Sequence, residues 1–136
     1  MYGMVIPRFI EQALAGEPIT IFGTGEQSRC FLHVSDALEA ATGLMAEPKA
    51  VGDVFNIGSE QEVTIRALAE KIKERTGSSS EIVSLDYKSA YGDGFEDMLR
   101  RTPDLTKIRN LIDFRPKLDL DRTVDDVIAH YLRLRQ

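Results

Sequence analysis

Apolar residues recur at helical spacing between positions 5 and 15. Val5, Phe9 and Ala13 share one face, with Ile6, Ile10 and Leu14 beside them. Pro7 fits only a first turn, so this helix begins near it, and Gly16 stops it. Ile19-Thr20-Ile21-Phe22 is rich in β-branched residues and reads as a short strand; a loop follows at 23–28 and an extended segment at 30–34. Ser35 is a good N-cap for a helix over 36–45, whose inward face would carry Leu38, Ala41, Thr42 and Met45. Residues 52–57 read as a buried strand ended by Gly58, with 61–63 extended beside it.

Thr64 caps the clearest helix of the chain, in which Ile65, Leu68, Ala69 and Ile72 keep the i, i+3, i+4, i+7 rule until Gly77 closes it. Residues 81–85 alternate as a strand. From 86 to 102 no periodicity is present; this stretch is predicted to be a long loop, less ordered over 86–100 than the Ile65 helix. Pro103 should start a helix through Leu111, with Leu105, Ile108 and Leu111 or Ile112 apolar. After the break at Phe114-Arg115-Pro116 a last helix, 120–134, would pack with Val124, Val127, Ile128, Tyr131 and Leu132. Helices alternate with few, scattered strands. That pattern suits a small α+β domain, or part of a larger α/β domain, better than a complete doubly wound sheet.

Length and charge narrow the picture. A chain of 136 residues is one ordinary domain, 1–136, large enough for a core without staples. A single cysteine, Cys30, excludes an intrachain disulfide and fits a reducing compartment. No apolar run reaches the roughly 18 residues of a membrane span, and the first residues do not read as a secretory signal, so a cytoplasmic location is expected. A net charge of −5 argues against nucleic acid as a partner. The basic group Arg100, Arg101, Lys107 and Arg109 suits a small anion better than a polyanion.

Gly23-Thr24-Gly25 invites a dinucleotide reading, but position 28 is Ser28, not a third glycine, and an extended segment follows where a helix should open. The two histidines, His33 and His130, are far apart and no Cys/His spacing suggests a metal. Three polar groups stand in non-helical places. Arg29 follows the glycine loop, Asn56 interrupts an apolar run, and Arg101 precedes Pro103-Asp104. Each could reach an anionic ligand, or serve only as a salt bridge, strand-end amide or helix-flanking cation.

Four segments in order carry a resemblance across about 110 residues. They are Val5-Ile6-Pro7-Arg8-Phe9 running on through Ala13 to Gly25; Gln27-Ser28-Arg29-Cys30-Phe31-Leu32-His33-Val34-Ser35-Asp36; Phe55-Asn56-Ile57-Gly58; and Arg101-Thr102-Pro103-Asp104, followed by Lys107-Ile108 and Phe114-Arg115-Pro116. Together they resemble the carboxy-terminal part of extended short-chain dehydrogenases/reductases, the group of UDP-glucose 4-epimerase, dTDP-glucose 4,6-dehydratase and UDP-glucuronate decarboxylase. The resemblance implies a nucleotide-diphosphate-sugar ligand, UDP- or dTDP-linked. Arg29 and Arg101 would lie on its diphosphate and ribose side, Asn56 against the same ligand, and Ile21 and Phe22 along the base pocket.

It also implies NAD in the intact enzyme. The glycine-rich dinucleotide loop is not in this sequence, and neither is the Y-x-x-x-K pair: Tyr2, Tyr87, Tyr91 and Tyr131 are followed four positions later by Ile6, Tyr91, Phe95 and Arg135. We therefore expect no cofactor-binding or catalytic residue in this chain. The expected partners are the nucleotide sugar and a separate amino-terminal Rossmann part. The competing reading is a stand-alone binding or interaction protein that self-associates through the former interdomain surface.

Overall fold

A computed structural model describes residues 4–86 and 98–135. Their order is α1 (Val5–Ala15), β1 (Ile19–Phe22), β2 (Ser28–Cys30), α2 (Val34–Ala46), a 3-10 turn (Pro48–Ala50), β3 (Glu62–Thr64), α3 (Ile65–Thr76), β4 (Ile82–Leu85), β5 (Arg100–Arg101), α4 (Thr106–Ile112) and α5 (Leu120–Leu134). This is the mixed α+β class that the sequence pattern implies. The chain divides into two compact units, one of residues 1–28, 63–100 and 124–136, the other of 29–62 and 101–123. A three-stranded sheet has the strand order β3-β2-β5. None of the described helices is long and apolar enough to cross a membrane. Most of the loop predicted to be poorly ordered, residues 87–97, lies outside the described residues.

In the first unit β1 and β4 pair in parallel, with Ile19 opposite Ile82 and Phe22 opposite Leu85. α1 and α3 pack on each other and on β1. Their apolar stripes meet there: Phe9, Ile10, Ile19, Ile21, Leu68 and Ile72 are all fully buried. Each such side chain contributes about 1.5–3 kcal/mol by leaving water. Gly16 and Gly77 end the two helices in the left-handed region, and the Thr64 hydroxyl caps α3 by accepting from the Ala67 amide at 3.1 Å. Gln12 sets the height of β1 along α1: its amide nitrogen donates to the Thr20 hydroxyl at 2.9 Å, and its carbonyl accepts from the Thr20 amide at 3.1 Å.

The core of the second unit is Ala40, Leu105, Ile108 and Phe114, with Leu32, Leu44, Phe55 and Ile112 packed around it. Asp36 is buried, 3% exposed, and its Oδ2 accepts from the backbone amides of Lys117 and Leu118 at 3.1 and 3.0 Å. One carboxylate in the first turn of α2 thus ties down the segment that follows Phe114-Arg115-Pro116.

Five expectations need correction. First, α2 begins at Val34 and not Asp36, because the His33 ring accepts from the Ser35 amide at 3.1 Å and takes the cap position assigned to Ser35. Second, α2 turns the other way. Ala40 faces the core, while Leu38 and Met45, predicted inward, are 60% and 86% exposed. The helix is apolar on two sides, and periodicity alone cannot choose between them. Third, residues 52–57 form neither a strand nor a buried segment: Val54 is 81% exposed, and no described strand pairs with them. Fourth, the extended segment placed at 30–34 is the strand Ser28–Cys30. Fifth, α4 starts at Thr106, after Pro103, because the Asp104 carboxylate accepts from the Thr106 amide at 2.8 Å and opens the helix there.

Candidate functional site

The glycine turn after β1 is built for packing. Gly25 has φ +80°, and a Cβ there would lie 2.8 Å from Ile21 Cδ1 and 3.1 Å from Arg66 Cβ. The turn is also fully engaged in hydrogen bonds. The Arg66 guanidinium donates to the Thr24 carbonyl at 3.0 Å, and the Arg66 and Ile65 amides donate to the carbonyls of Gly25 and Gln27, each at 3.0 Å. The carbonyls of Gly25 and Gln27 thus satisfy the first two amides of α3, and the chain then enters β2. A dinucleotide site needs glycine amides aimed at a pyrophosphate from the mouth of a helix. The residues present do not fit that group.

Gln27, which reading the sequence did not single out, pins this corner. It is buried, and its side-chain amide donates to the Phe22 carbonyl at 3.0 Å. Among the residues implied by the resemblance, Ile21 is fully buried in the core of the first unit. Phe22 is half-buried, with the Arg8 guanidinium 4.7 Å from its ring centroid.

The other three lie in the second unit. Arg29 stands on β2 and is half-buried; Arg101 stands on the neighbouring strand β5 and is exposed. Asn56 is exposed too, and its side-chain amide donates to the Asp104 carbonyl at 3.1 Å. Two residues on, Gly58 lies so close to Pro103 that a Cβ would come within 2.8 Å of the proline Cγ. Segments 56–58 and 101–104, separate motifs in the sequence, are therefore fastened directly to each other, and β5 runs into them beside β2.

Charge around this junction is ordered by short contacts. Lys107 forms an ion pair with Asp53, donates to the Val54 carbonyl at 2.9 Å, and lies 4.7 Å from the Phe55 ring centroid. The Lys107 ammonium, with help from the Val54 amide, holds the Asp53 carboxyl below its ordinary value. The Asp104 carboxyl is lowered as well, by its bonds from Thr106 and then by the charge of Arg109. Arg109 grips Glu60 with two nitrogens, at 3.1 and 2.7 Å, and its own pKa is raised by that contact. Lys107 and Arg109, grouped in sequence with Arg101 as possible anion-binding cations, are thus committed to carboxylates. No described residue forms a hydrogen bond or ion pair with the Arg101 side chain. Two recesses of this unit, of about 450 and 390 Å³, are lined by other residues, among them Gly43, Phe114 and Lys117 in the first and Ser59, Glu60 and Arg109 in the second.

The chain is similar to known proteins. The model of the NAD dependent epimerase/dehydratase family matches residues 2–58. UDP-N-acetyl-alpha-D-glucosaminuronate decarboxylase of Bacillus cytotoxicus is 42% identical over 96% of the chain and 40% of its own length. The chain is similar to members of the NAD-dependent epimerase/dehydratase family. UDP-glucuronic acid decarboxylase 1 of Xenopus tropicalis is 37% identical over 96% of the chain and 29% of its own length. Among solved structures, UDP-glucose 4-epimerase of Thermotoga maritima with UDP-glucose superposes on 99% of the chain and 42% of its own length, with a TM-score of 0.86 and 28% identity. The chain therefore spans about two fifths or less of the family members it matches.

Proposed function

We propose that this chain is the nucleotide-diphosphate-sugar binding part of an NAD-dependent epimerase, dehydratase or decarboxylase, and does not turn over substrate alone. The observation that supports this is that Arg29, on β2, and Arg101, on β5, stand on neighbouring strands, with β5 leading into the junction of 56–58 and 101–104. Guanidinium groups present planar forks that match diphosphate oxygens, and none of the described residues gives Arg101 a competing carboxylate. Asn56 spends its amide nitrogen on the Asp104 carbonyl, leaving its own carbonyl oxygen to face a ribose or sugar hydroxyl. In the base-side role implied for β1, the half-buried Phe22 ring is the contacting group, with Ile21 supporting it from the core.

NAD and the proton-transferring tyrosine–lysine pair belong, in this proposal, to another part of the enzyme. That part has a surface to cover. Val34, Leu38, Ala41 and Met45 form a stripe along α2 at helical spacing, on the side away from the core; Val34, Leu38 and Met45 are exposed, as are Val51 and Val54 nearby in sequence. The same stripe favours a second reading, in which the chain self-associates through it as a binding protein. Calorimetric titration of the chain with UDP, UDP-glucuronate and NAD tests the first reading. Binding of UDP and its sugars, lost in Arg29→Ala and Arg101→Ala, is expected. Binding of NAD without any nucleotide sugar refutes it. Sedimentation as a concentration-independent monomer refutes the second.

A further inference from the structure

We propose that Gly58 and Pro103 form a steric bracket that sets the position of Arg101, so that Gly58 is a positioning residue for the diphosphate. The inference rests on the reading of Arg101 given above. A Cβ on residue 58 would stand 2.8 Å from Pro103 Cγ, 3.5 Å from its Cβ and 3.9 Å from its Cδ. Real Cβ atoms do not approach carbon so closely, so something must move.

The neighbour cannot yield as a flexible side chain would. Pro103 carries a closed ring that can give only by a change of pucker at Cγ; any larger displacement takes its backbone along. On one side of Pro103 the chain is anchored. The Asp104 carbonyl accepts from Asn56, the Asp104 carboxylate holds the Thr106 amide, and Leu105 is fully buried in the core. On the other side Thr102 is exposed, and the chain is held only by the two-residue strand β5, Arg100–Arg101, at the edge of the sheet beside β2. Displacement of the ring is therefore relayed toward Arg101, two residues away, rather than into α4. The Asn56 bond and the Gly58 contact act as two points of one clamp, on Asp104 and Pro103 respectively. A single hydrogen bond would leave the segment free to pivot; the second contact removes that freedom. A guanidinium that must meet a diphosphate in fork geometry gains from this, because misplacement by about 1 Å can cost on the order of a hundredfold in positioning-dependent steps.

The test uses the chain itself, with UDP as probe, in four variants: Gly58→Ala, Pro103→Ala, the double Gly58→Ala/Pro103→Ala, and Arg101→Ala. UDP affinity is measured by calorimetry, and backbone amide shifts of residues 101, 102 and 104 by nitrogen-15 NMR. Gly58→Ala is expected to weaken UDP binding by about tenfold or more and to move those amides. Pro103→Ala removes Cγ and Cδ, so the double variant should return to within about threefold of Pro103→Ala alone, the signature of direct coupling. General misfolding would not be repaired by a second truncation. A Gly58→Ala chain that binds UDP as the unaltered one does, while Arg101→Ala does not, overturns the bracket and leaves the diphosphate reading standing. A double variant as weak as Gly58→Ala also overturns it. Equal UDP binding by the unaltered chain and Arg101→Ala, or none by either, overturns the reading of Arg101 and the bracket with it.

Discussion

Replacing Asp36 by alanine should be among the most damaging single changes in the second unit. Its carboxylate is 3% exposed, and one oxygen accepts from two consecutive backbone amides, those of Lys117 and Leu118, at 3.1 and 3.0 Å. Truncation leaves two partly buried N–H groups without that acceptor. Hydrogen bonds to a charged group are worth about 1.5–3 kcal/mol each, toward the lower end here because both share one oxygen. Loss of a negative charge in the first turn of α2 adds about 0.3–1 kcal/mol. The expected destabilisation is about 3–5 kcal/mol. Asp36→Asn, which retains a neutral acceptor, should lose roughly half of that. Urea denaturation followed by far-ultraviolet circular dichroism reads both. The protection of the Lys117 and Leu118 amides against hydrogen exchange should fall in the same order. An Asp36→Ala chain within about 0.5 kcal/mol of the parent, the range of ordinary surface changes, would refute the reasoning.

Gly25→Ala should cost about 2–4 kcal/mol, from a left-handed backbone and a clash with Ile21 Cδ1, and thermal unfolding checks it; a neutral outcome would mean the turn opens freely. Asp104 has a lowered folded pKa, so its contribution is present above the ordinary aspartate value and is lost as pH falls through the folded one; exchange of the Thr106 amide should accelerate only in that acidic window, and an equal acceleration in Asp104→Asn would show that the carboxylate is not the cause. Leu38→Glu, on the exposed stripe of α2, should leave unfolding of the chain unchanged within about 0.5 kcal/mol while abolishing any concentration-dependent sedimentation; a large loss of stability would place Leu38 in the core after all.

Much of the local structure was legible before any coordinates. α1, α3 and α5 fall where periodicity places them, because each is an amphipathic helix with one apolar stripe, although Leu132, expected to pack, is exposed near the end of α5. Thr64 and Gly77 are local signals that need no tertiary context. The residues holding the junction were less visible. Gly58 and Pro103 are 45 positions apart in sequence, and nothing local to either says that they touch. Lys107 and Arg109 looked like candidate anion-binders from charge alone; Asp53 and Glu60, about 50 positions away, claim them instead.

α2 and residues 52–57 show where local pattern ends. The composition of α2 dictates a helix, but with Leu38, Ala41 and Met45 on one side and Ala40 and Leu44 on the other it supports either orientation. Contact with Leu105, Ile108 and Phe114 decides it. Residues 52–57 read as a buried strand, and Phe55 does reach the core, but a strand exists only when another strand bonds to it, and none of the described ones does. Periodicity is a property of neighbouring residues and survives in the sequence. Burial, pairing and the fastening of Arg101 depend on which distant segment arrives, and only the folded chain contains that information.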